Sequence, residues 1–316
     1  MAKGSGMSFG NVESMLNNMA RNGVIGLVEK EGTRHFYTIP FDVGMFEGQL
    51  KRLTPEFLSD VEQYTTDKAF GLAFLSTELP QMRTIPLGKS ISVEHHVTTY
   101  DHIADIINGT DGPFAILECI CRKMAGMKGN PCKKTSRQET CMAIGDIAKN
   151  VVQNASGRAI SREEALEIAR MNEADGLVFQ PSNTRKVDFV CACCGCCCGM
   201  LRVQKMLPKP VDFWATNYYA SANAEACSGC GTCVERCQVD AVTVDDDAGT
   251  SFVNHNRCIG CGNCVVTCPT GAMSLLKKEK EIVPPRDSEG LYEVIMANKK
   301  GPLGKIKLAT KLMFKR

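Results

Sequence analysis

The chain has 316 residues, of which 44% are hydrophobic, and its formal net charge is +2. This length can bury the cores of two or three domains. The near-neutral charge argues neither for a nucleic-acid-binding protein nor for an acidic disordered chain. Eighteen cysteines occur without an apolar signal segment or a run of 18 apolar residues. We therefore expect a cytoplasmic chain whose thiols bind metal clusters under oxygen-poor conditions.

Residues 1–50 are predicted to contain a helix followed by a hairpin. Apolar residues recur at helical spacing over 11–22, and β-rich runs at 24–28 and 35–39 flank a polar six-residue turn. A helix with a two-stranded wing resembles the end of a winged-helix domain. The segment has four basic and five acidic residues, which disfavours contact with phosphates, so a docking or dimerisation surface is expected rather than DNA binding.

Residues 51–215 are predicted to form a cysteine-rich α/β domain. The part up to residue 110 has the pattern of helices and contains His95, His96 and His102, which we interpret as ordinary surface or core histidines because no cysteine or carboxylate lies at ligand spacing. The remainder suggests alternating strands and helices. The predicted strands are 114–118, 177–179 and 187–190, and the predicted helices are 142–150 and a capped one from Ser161 to about Ala174.

Ten cysteines lie in this domain, in three groups. They are Cys119 and Cys121; Cys132 and Cys141; and Cys191, Cys193, Cys194, Cys196, Cys197 and Cys198. Because the first and last groups each follow a predicted strand, we expect all ten to meet at one end of a sheet. Adjacent residues of an extended chain point to opposite faces, so neighbours such as Cys193 and Cys194 are expected to serve two sites or a non-cubane cluster.

Several uses of these ten thiols stay open. They could hold one or two further iron–sulfur clusters with an unknown subset of ligands, zinc in a tetrahedral thiolate site, or remain in part as buried free thiols. The simplest cluster would use Cys191, Cys194 and Cys197, which lie at CxxC spacing, and one of the earlier four cysteines. Nearby cations are expected to form a basic loop that raises a cluster's potential, docks an acidic partner or is simply solvated. These are Arg122, Lys123, Lys128, Lys133, Lys134 and Arg137.

The order of a CxC pair, a C-x8-C pair and a CxCCxCCC run resembles a cysteine-rich iron–sulfur family in which a two-cluster ferredoxin follows. The resemblance implies clusters in the central domain. Two Cys-Cys-Gly sequences, at 193–195 and 197–199, are also similar in part to the CCG domains of heterodisulfide reductases. That second resemblance implies a non-cubane cluster that binds a disulfide or thiol.

Residues 216–280 carry two copies of one cysteine spacing. The pattern C-x2-C-x2-C-x3-C runs from Cys227 to Cys237 and again from Cys258 to Cys268, with an offset of 31 residues at every member. Four thiolates at this spacing suit an iron–sulfur cube, whereas zinc sites favour separate CxxC pairs or histidines. The spacing therefore predicts two neighbouring 4Fe–4S clusters.

The segment from about Tyr218 to Leu276 resembles a bacterial two-cluster ferredoxin domain. The resemblance implies that the fourth cysteine of each run ligates the other cluster. One cluster would then be held by Cys227, Cys230, Cys233 and Cys268, and the second by Cys258, Cys261, Cys264 and Cys237. Pro269 follows the family pattern, whereas Gln238 replaces the proline after the first run, which leaves the ligands intact but alters hydrogen bonding or solvent access.

Residues 281–316 are predicted to be a linker and a basic amphipathic tail. A helix near 292–298 and a break at 301–304 precede a second helix from Lys305, with Ile306, Ala309, Leu312 and Met313 on its apolar face. Residues 299–316 contain seven basic and no acidic residues, while 219–276 contain six acidic and two basic ones. The tail is expected to contact an anionic membrane surface or an acidic partner, or to stay partly disordered.

The sequence thus predicts an α+β and α/β multidomain protein that transfers single electrons to or from a partner oxidoreductase or a larger complex. A subunit for electron transfer is favoured over a stand-alone enzyme, and no catalytic residue is assigned, because no dinucleotide-binding glycine motif, P-loop or Ser/His/Asp motif is present. Two other classes stay open: an enzyme whose cluster binds a thiol or disulfide, and a redox-sensing winged-helix regulator.

Overall fold

The computed structural model describes residues 2–91, 99–245 and 247–314. His95 and His96 lie outside the described residues. The helices are α1 (Ala2–Ser5), α2 (Phe9–Arg21), α3 (Pro55–Thr66), α4 (Lys68–Phe74), α5 (Ile103–Asn108), α6 (Ile120–Met127), α7 (Asp146–Gln153), α8 (Arg162–Ala174), α9 (Gly199–Met206), α10 (Thr232–Arg236), α11 (Asn263–Val266), α12 (Ser288–Ala297) and α13 (Pro302–Phe314). The strands are β1 (Ile25–Lys30), β2 (Thr33–Thr38), β3 (Phe114–Glu118), β4 (Glu139–Ile144), β5 (Arg158–Ile160), β6 (Val178–Pro181), β7 (Phe189–Cys193), β8 (Tyr218–Ala222), β9 (Val242–Asp245), β10 (Thr250–Val253) and β11 (Met273–Lys277).

The central domain is built on a five-stranded sheet in the order β5-β3-β4-β7-β6. Every neighbouring pair in it is antiparallel, so the arrangement is α+β and the predicted α/β pattern is wrong here. The difference arises because residues 139–144, part of which the sequence pattern assigns to a helix, form the strand β4. With β4 between β3 and β7, each strand of the sheet runs opposite to its hydrogen-bonded neighbours.

Strand β4 corrects the predicted helix at 142–150. Met142, Ala143 and Ile144 are buried between two neighbouring strands, and the helix starts only at Asp146, after Gly145 with φ of 65°. Burial between β3 and β7 outweighs a local pattern that suited either structure. Cys141 therefore lies within a strand. In contrast, Ser161 caps α8 as predicted, accepting from Glu164 N at 3.2 Å.

The N-terminal helix and hairpin are both present. β1 and β2 pair from Ile25 with Thr38 to Lys30 with Thr33, so Glu31 and Gly32 alone form the turn, both at positive φ. The strands are thus longer than predicted, because a two-residue turn with positive φ matches their twist. The winged-helix interpretation stays a prediction.

This N-terminal unit packs on the central domain. Asn150 Nδ2 of α7 donates to Leu27 O at 3.0 Å, and Asn154 Nδ2 donates to Ala20 O at 3.4 Å. The segment 41–110 is less helical than expected, since the chain between α4 and α5 includes an extended stretch. Ile85 and Leu87 of that stretch are fully buried in the core beside the central sheet.

The C-terminal cysteine runs lie in a small domain with internal repetition. β8 pairs with β11, and β9 pairs with β10. Helices α10 and α11 each contain the third cysteine of one run, Cys233 or Cys264, and contact each other. Strands β9 and β11 each follow one of the two runs. The limits of the four segments, 1–50, 51–215, 216–280 and 281–316, stay predictions.

The tail differs from its prediction in two respects. Helix α13 begins at Pro302, so the expected break at 301–304 lies inside it, because proline suits the first position of a helix. Leu308 is buried, whereas Ile306 on the predicted apolar face is 64% exposed. Pro285 and Arg286 accept backbone hydrogen bonds from Arg185 and Lys186, so the linker lies against the central domain. In the described part of the chain, no helix combines the length and hydropathy of a membrane span.

Candidate metal centre

The two C-terminal cysteine loops depend on glycines at equivalent positions. Gly231 and Gly262 precede α10 and α11 with φ of 76° and 78°, a conformation that glycine adopts without strain. A Cβ on Gly260 would lie 2.3 Å from Tyr218 O, and one on Gly229 would lie 2.5 Å from Gly249 O. The loops can therefore approach the neighbouring strands only because these residues lack side chains.

Backbone N–H groups point at the sulfurs of these loops. Ala241 N donates to Cys237 Sγ at 3.2 Å, Ala220 N donates to Cys258 Sγ at 3.3 Å, and Ser251 N donates to Cys227 Sγ at 3.4 Å. Such donors stabilise thiolates over thiols and tune any metal the thiolates bind. This pattern fits a set of thiolate ligands better than a set of buried free thiols.

The two runs differ in burial. In the first run, where Cys233 alone is buried and Cys230 is exposed, the backbone N–H of Gly229 lowers the pKa of Cys227, and the Thr232 hydroxyl lowers that of Cys230. In the second run burial raises the pKa of Cys258 and raises that of Cys261 to about 12. A buried thiol of this kind becomes a thiolate when a metal compensates its charge.

Cys237 lies close enough to the second run to influence its thiols. After burial, the nearby Cys237 thiolate is a further cause that raises the pKa of Cys258, Cys261 and Cys264. Its position suits the predicted exchange of the fourth ligand between clusters. Cys268 Sγ lies 3.7 Å from Thr270 Oγ1, and its assignment to the first run stays a prediction. The eight cysteines, their glycine loops and their N–H donors fit two 4Fe–4S clusters.

Four central cysteines form one compact group, which we call the tetrad. Its members are Cys132, Cys194, Cys196 and Cys197. Cys132 Sγ lies 3.6 Å from Cys194 Sγ and 3.8 Å from Cys196 Sγ, while Cys196 Sγ lies 3.5 Å from Cys194 Sγ and 3.7 Å from Cys197 Sγ. All four sulfurs lie within 4.8 Å of one another. The tetrad joins the loop before β4 to the loop after β7.

The other six central cysteines form a ring of thiols. In order around the ring they are Cys119, Cys121, Cys198, Cys193, Cys191 and Cys141, and the pKa of each thiol is shifted by its two neighbours in that order, the last being a neighbour of the first. Cys141 and Cys191 lie on adjacent strands, β4 and β7. Six converging thiols exceed the four that one cube requires, so the ring offers ligands for a polynuclear cluster of another type or for a cube with two spare thiols.

Cys193 belongs to the ring and Cys194 to the tetrad, as alternation at the end of the extended strand β7 leads one to expect. Cys197 and Cys198 are divided in the same way, but Cys196 and Cys197 both belong to the tetrad because the chain turns there. Of the predicted group Cys191, Cys194 and Cys197, only the last two lie in the tetrad. Cys191 points to the ring side of β7, and Cys196 takes its place because the chain turns after Cys193.

Arg122 lies between the tetrad and the ring. It is 2% exposed, its guanidinium donates to Ala192 O at 2.6 Å and to Thr140 Oγ1, and Nε has no hydrogen-bond partner among the described residues. Although burial opposes its charge, the adjacent thiolates of Cys119 and Cys141 raise its pKa. A fixed cation here offsets negative charge on both groups of thiolates.

The prediction of a basic loop is therefore wrong for two of its six cations. Arg122 and Lys123 belong to α6, and Arg122 faces the core. Arg122 is only two residues from Ile120, the other buried residue of α6, so no i, i+3 or i, i+4 repeat marks its burial in the sequence. Lys128 forms an ion pair with Glu62 at 2.5 Å, and Arg137 forms one with Asp175 at 2.7 Å. The Nδ1 atom of His102, which the sequence analysis interprets as an ordinary histidine, lies 3.2 Å from Asp105 Oδ2.

Gln238 connects the two cysteine-rich regions. Its side chain is buried, and its Oε1 accepts from Gly195 N, inside the tetrad loop, at 2.9 Å. Its Nε2 donates to Arg236 O at 3.2 Å. The one departure from the ferredoxin pattern thus positions the loop of the tetrad beside Cys237. A proline at this position could not accept that hydrogen bond.

The ring lies on the wall of a cavity of about 3160 Å³ between the N-terminal unit and the central sheet. Phe41, Asp42 and Glu47 line the opposite side. Burial raises the pKa of Glu47 to about 8, and Asp42 and Cys119 add to the effect. The volume exceeds that of ordinary small-ligand pockets, so it has room for a cluster together with a further molecule. No pattern in the sequence indicates a role for Asp42 or Glu47.

The C-terminal domain has a recognisable family. Residues 226–273 match the model of the 4Fe-4S dicluster domain. No curated protein and no solved structure matches the chain. The match and the cysteine geometry support iron–sulfur clusters in a ferredoxin-like domain, and iron–sulfur electron transfer as the function of that domain.

Proposed function

We propose that the chain transfers single electrons between two C-terminal 4Fe–4S clusters and a further iron–sulfur cluster held by the ring. The observation that carries this proposal is the shared apolar core. Cys193 and Cys198 of the ring are buried in the same cluster of side chains as Cys233, Cys258 and Cys264. Electron-carrying centres on the two sides of that core would lie within one continuous, water-poor region.

The chain's own residues would hold, insulate and tune these centres. The C-terminal ligands would be Cys227, Cys230, Cys233 and Cys268 for one cluster and Cys258, Cys261, Cys264 and Cys237 for the second. When bound, such clusters supply one-electron oxidation and reduction at potentials that hydrogen bonds and solvent access adjust. The N–H donors of Ala220 and Ala241 would stabilise the thiolate ligands, and the buried second run would exclude water.

The electrons would pass to or from a partner oxidoreductase. Cys230 is exposed, and acidic residues dominate the surrounding domain, so a partner with a basic docking face is expected there. The basic segment 299–316 would provide a second contact, with an acidic partner surface or an anionic membrane surface. Both contacts are compatible with a subunit of a larger complex.

A reductive titration of the anaerobically purified chain tests this function. With dithionite as reductant, we expect about two electrons to enter the C-terminal clusters, with magnetic coupling between their spins in the EPR spectrum, and further electrons to enter the ring's cluster. A one-electron acceptor should reoxidise all of them. The proposal fails if the protein takes up no electrons, or if reduced protein cannot pass them to the acceptor.

The cavity favours a second candidate function, an enzyme whose ring cluster binds a disulfide or thiol. All six ring cysteines are among the residues that line the cavity. Reduction of a disulfide would consume two electrons, delivered one at a time through the C-terminal clusters, and two protons, and would release two thiols. Addition of a disulfide should then shift the EPR signal of the ring's cluster. If the spectrum does not change at saturating disulfide, the disulfide-binding enzyme is excluded and electron transfer remains as the proposed function.

A further inference from the structure

The same structure spaces its sulfurs in two different ways. In a cube each thiolate binds a different iron and points outward from its own corner, so the four sulfurs are held apart by the cluster between them. No set of three or more potential ligands in the described part of 226–273 falls within 4.8 Å of one another, whereas the tetrad does. The sulfurs of the tetrad thus leave less space between them than the sulfurs of the C-terminal loops do.

The sulfur separations of the tetrad match those around a single ion. A tetrahedral zinc site with Zn–S bonds of about 2.3 Å has its sulfurs about 3.8 Å apart. Four of the six separations in the tetrad run from 3.5 to 3.8 Å, and the other two are within 4.8 Å. Four thiolates in a tetrahedron are typical of zinc, or of a single iron, among biological metals.

A backbone N–H donor and a cation lie beside the tetrad. Lys134 N donates to Cys132 Sγ at 3.4 Å, and the cationic Arg122 lies beside Cys194. Two of the four members, Cys194 and Cys197, are buried. A closed site with four protein ligands and no open position is characteristic of a structural metal rather than a catalytic one.

The loop that carries Cys132 needs such a support. Residues 128–138 have no helix or strand and consist mainly of glycine, proline, lysine and polar residues. These side chains contribute little to a hydrophobic core, so the loop must be held by other contacts. A metal bound to Cys132 would attach it to the loop of Cys194, Cys196 and Cys197, which lies 62 residues further along the chain.

We propose that the tetrad binds one tetrahedrally coordinated divalent metal ion, zinc in the first instance, as a structural site distinct from the iron–sulfur clusters. Binding converts the four cysteines to thiolates and releases their protons to solvent. The site would hold the loop before β4 against the loop after β7 and, through Gln238 and Gly195, against the C-terminal domain. It would carry no electrons when zinc occupies it.

Metal analysis of the full-length, anaerobically purified protein tests the inference. We expect one zinc ion per chain, with a Zn K-edge EXAFS spectrum of four sulfurs at about 2.3 Å and no neighbouring metal. If a single iron takes the site, iron should instead exceed acid-labile sulfide by one per chain, which also supports a one-ion site. Absence of both results in the unmodified protein would overturn the proposal without any variant.

A pair of variants separates this site from the clusters. Cys196→Ser should remove the zinc and leave iron, sulfide and the EPR signals of the C-terminal clusters unchanged, whereas the matched control Cys191→Ser should retain the zinc. Loss of about four irons and four sulfides in Cys196→Ser would show a cube at the tetrad and contradict the inference. Because the iron count reports on the proposed electron transfer and the zinc count on the tetrad, either can fail alone.

Discussion

In residues 226–273, glycine loops keep eight thiols apart and direct backbone N–H groups at them, whereas in the central domain ten thiols contact one another in a tetrad and a ring. The first region follows a local repeat, and each loop places its cysteines by its own turns. The second is assembled from strands, helix starts and loops that are distant in sequence. A spacing motif therefore describes the first region well, but only the tertiary fold shows which central cysteines meet.

The largest effect should come from breaking the cluster that Cys237 is proposed to complete. Cys237→Ser should lower the iron content by about four per chain and should abolish the same EPR component as Cys261→Ser, because Cys237 lies close enough to the second run to influence its thiols. Iron analysis and EPR of the reduced variants measure this. Loss of the component removed by Cys227→Ser instead would show that the fourth ligands are not exchanged.

The ring should respond independently of the C-terminal domain. Cys193→Ser should remove the iron held by the central domain while the coupled EPR signal of the C-terminal clusters persists, because the two sets share no ligand. Met200→Leu, beside the same core, serves as a control that keeps all metal. A central cluster that survives Cys193→Ser and also Cys191→Ser would mean that these two thiols are the spare members of the ring.

Removal of the charge between the two thiol groups should destabilise the fold. Arg122→Met leaves buried thiolates uncompensated and should lower the free energy of unfolding by about 3–5 kcal/mol. Arg122→Lys retains the charge but cannot reproduce both hydrogen bonds of the guanidinium, so its loss of stability should be smaller. Anaerobic urea unfolding, followed by fluorescence of Trp214, measures both. Equal stability of Arg122→Met and the unmodified protein would contradict the compensating role.

The smallest effect should come from the contact between the two regions. Gln238→Met leaves Gly195 N–H without its acceptor and should cost about 1–3 kcal/mol, while Gln238→Glu retains an oxygen that can accept and should cost less. The same urea unfolding experiment distinguishes them. If both variants unfold like the unmodified protein, Gln238 does not join the regions.

The sequence predicted the dicluster domain, which the family match supports, because its cysteines and glycines repeat locally; which cysteines bind which cluster stays a prediction. It also predicted β3, β6, β7 and the capped helix α8, each of which has its own pattern of apolar residues. It failed at β4, where burial between two strands decided the structure. It did not find Arg122, whose role arises only where α6 meets β7.

Only part of the division of the ten central cysteines into the tetrad and the ring could be predicted from the sequence. Alternation along an extended chain predicted that Cys193 and Cys194 diverge. It did not predict that Cys196 rather than Cys191 joins Cys194 and Cys197, because that depends on how the chain turns after β7. Nor could it place Glu47 across the cavity from the ring, since no local pattern links residues so far apart.

The central claim is that iron–sulfur clusters occupy both the C-terminal loops and the ring. Quantification of iron and acid-labile sulfide in anaerobically purified protein tests it most directly. The account predicts brown protein with about twelve or more irons per chain and matching sulfide. Colourless protein that contains zinc without sulfide would contradict the account entirely, and about eight irons would confine the clusters to the C-terminal domain.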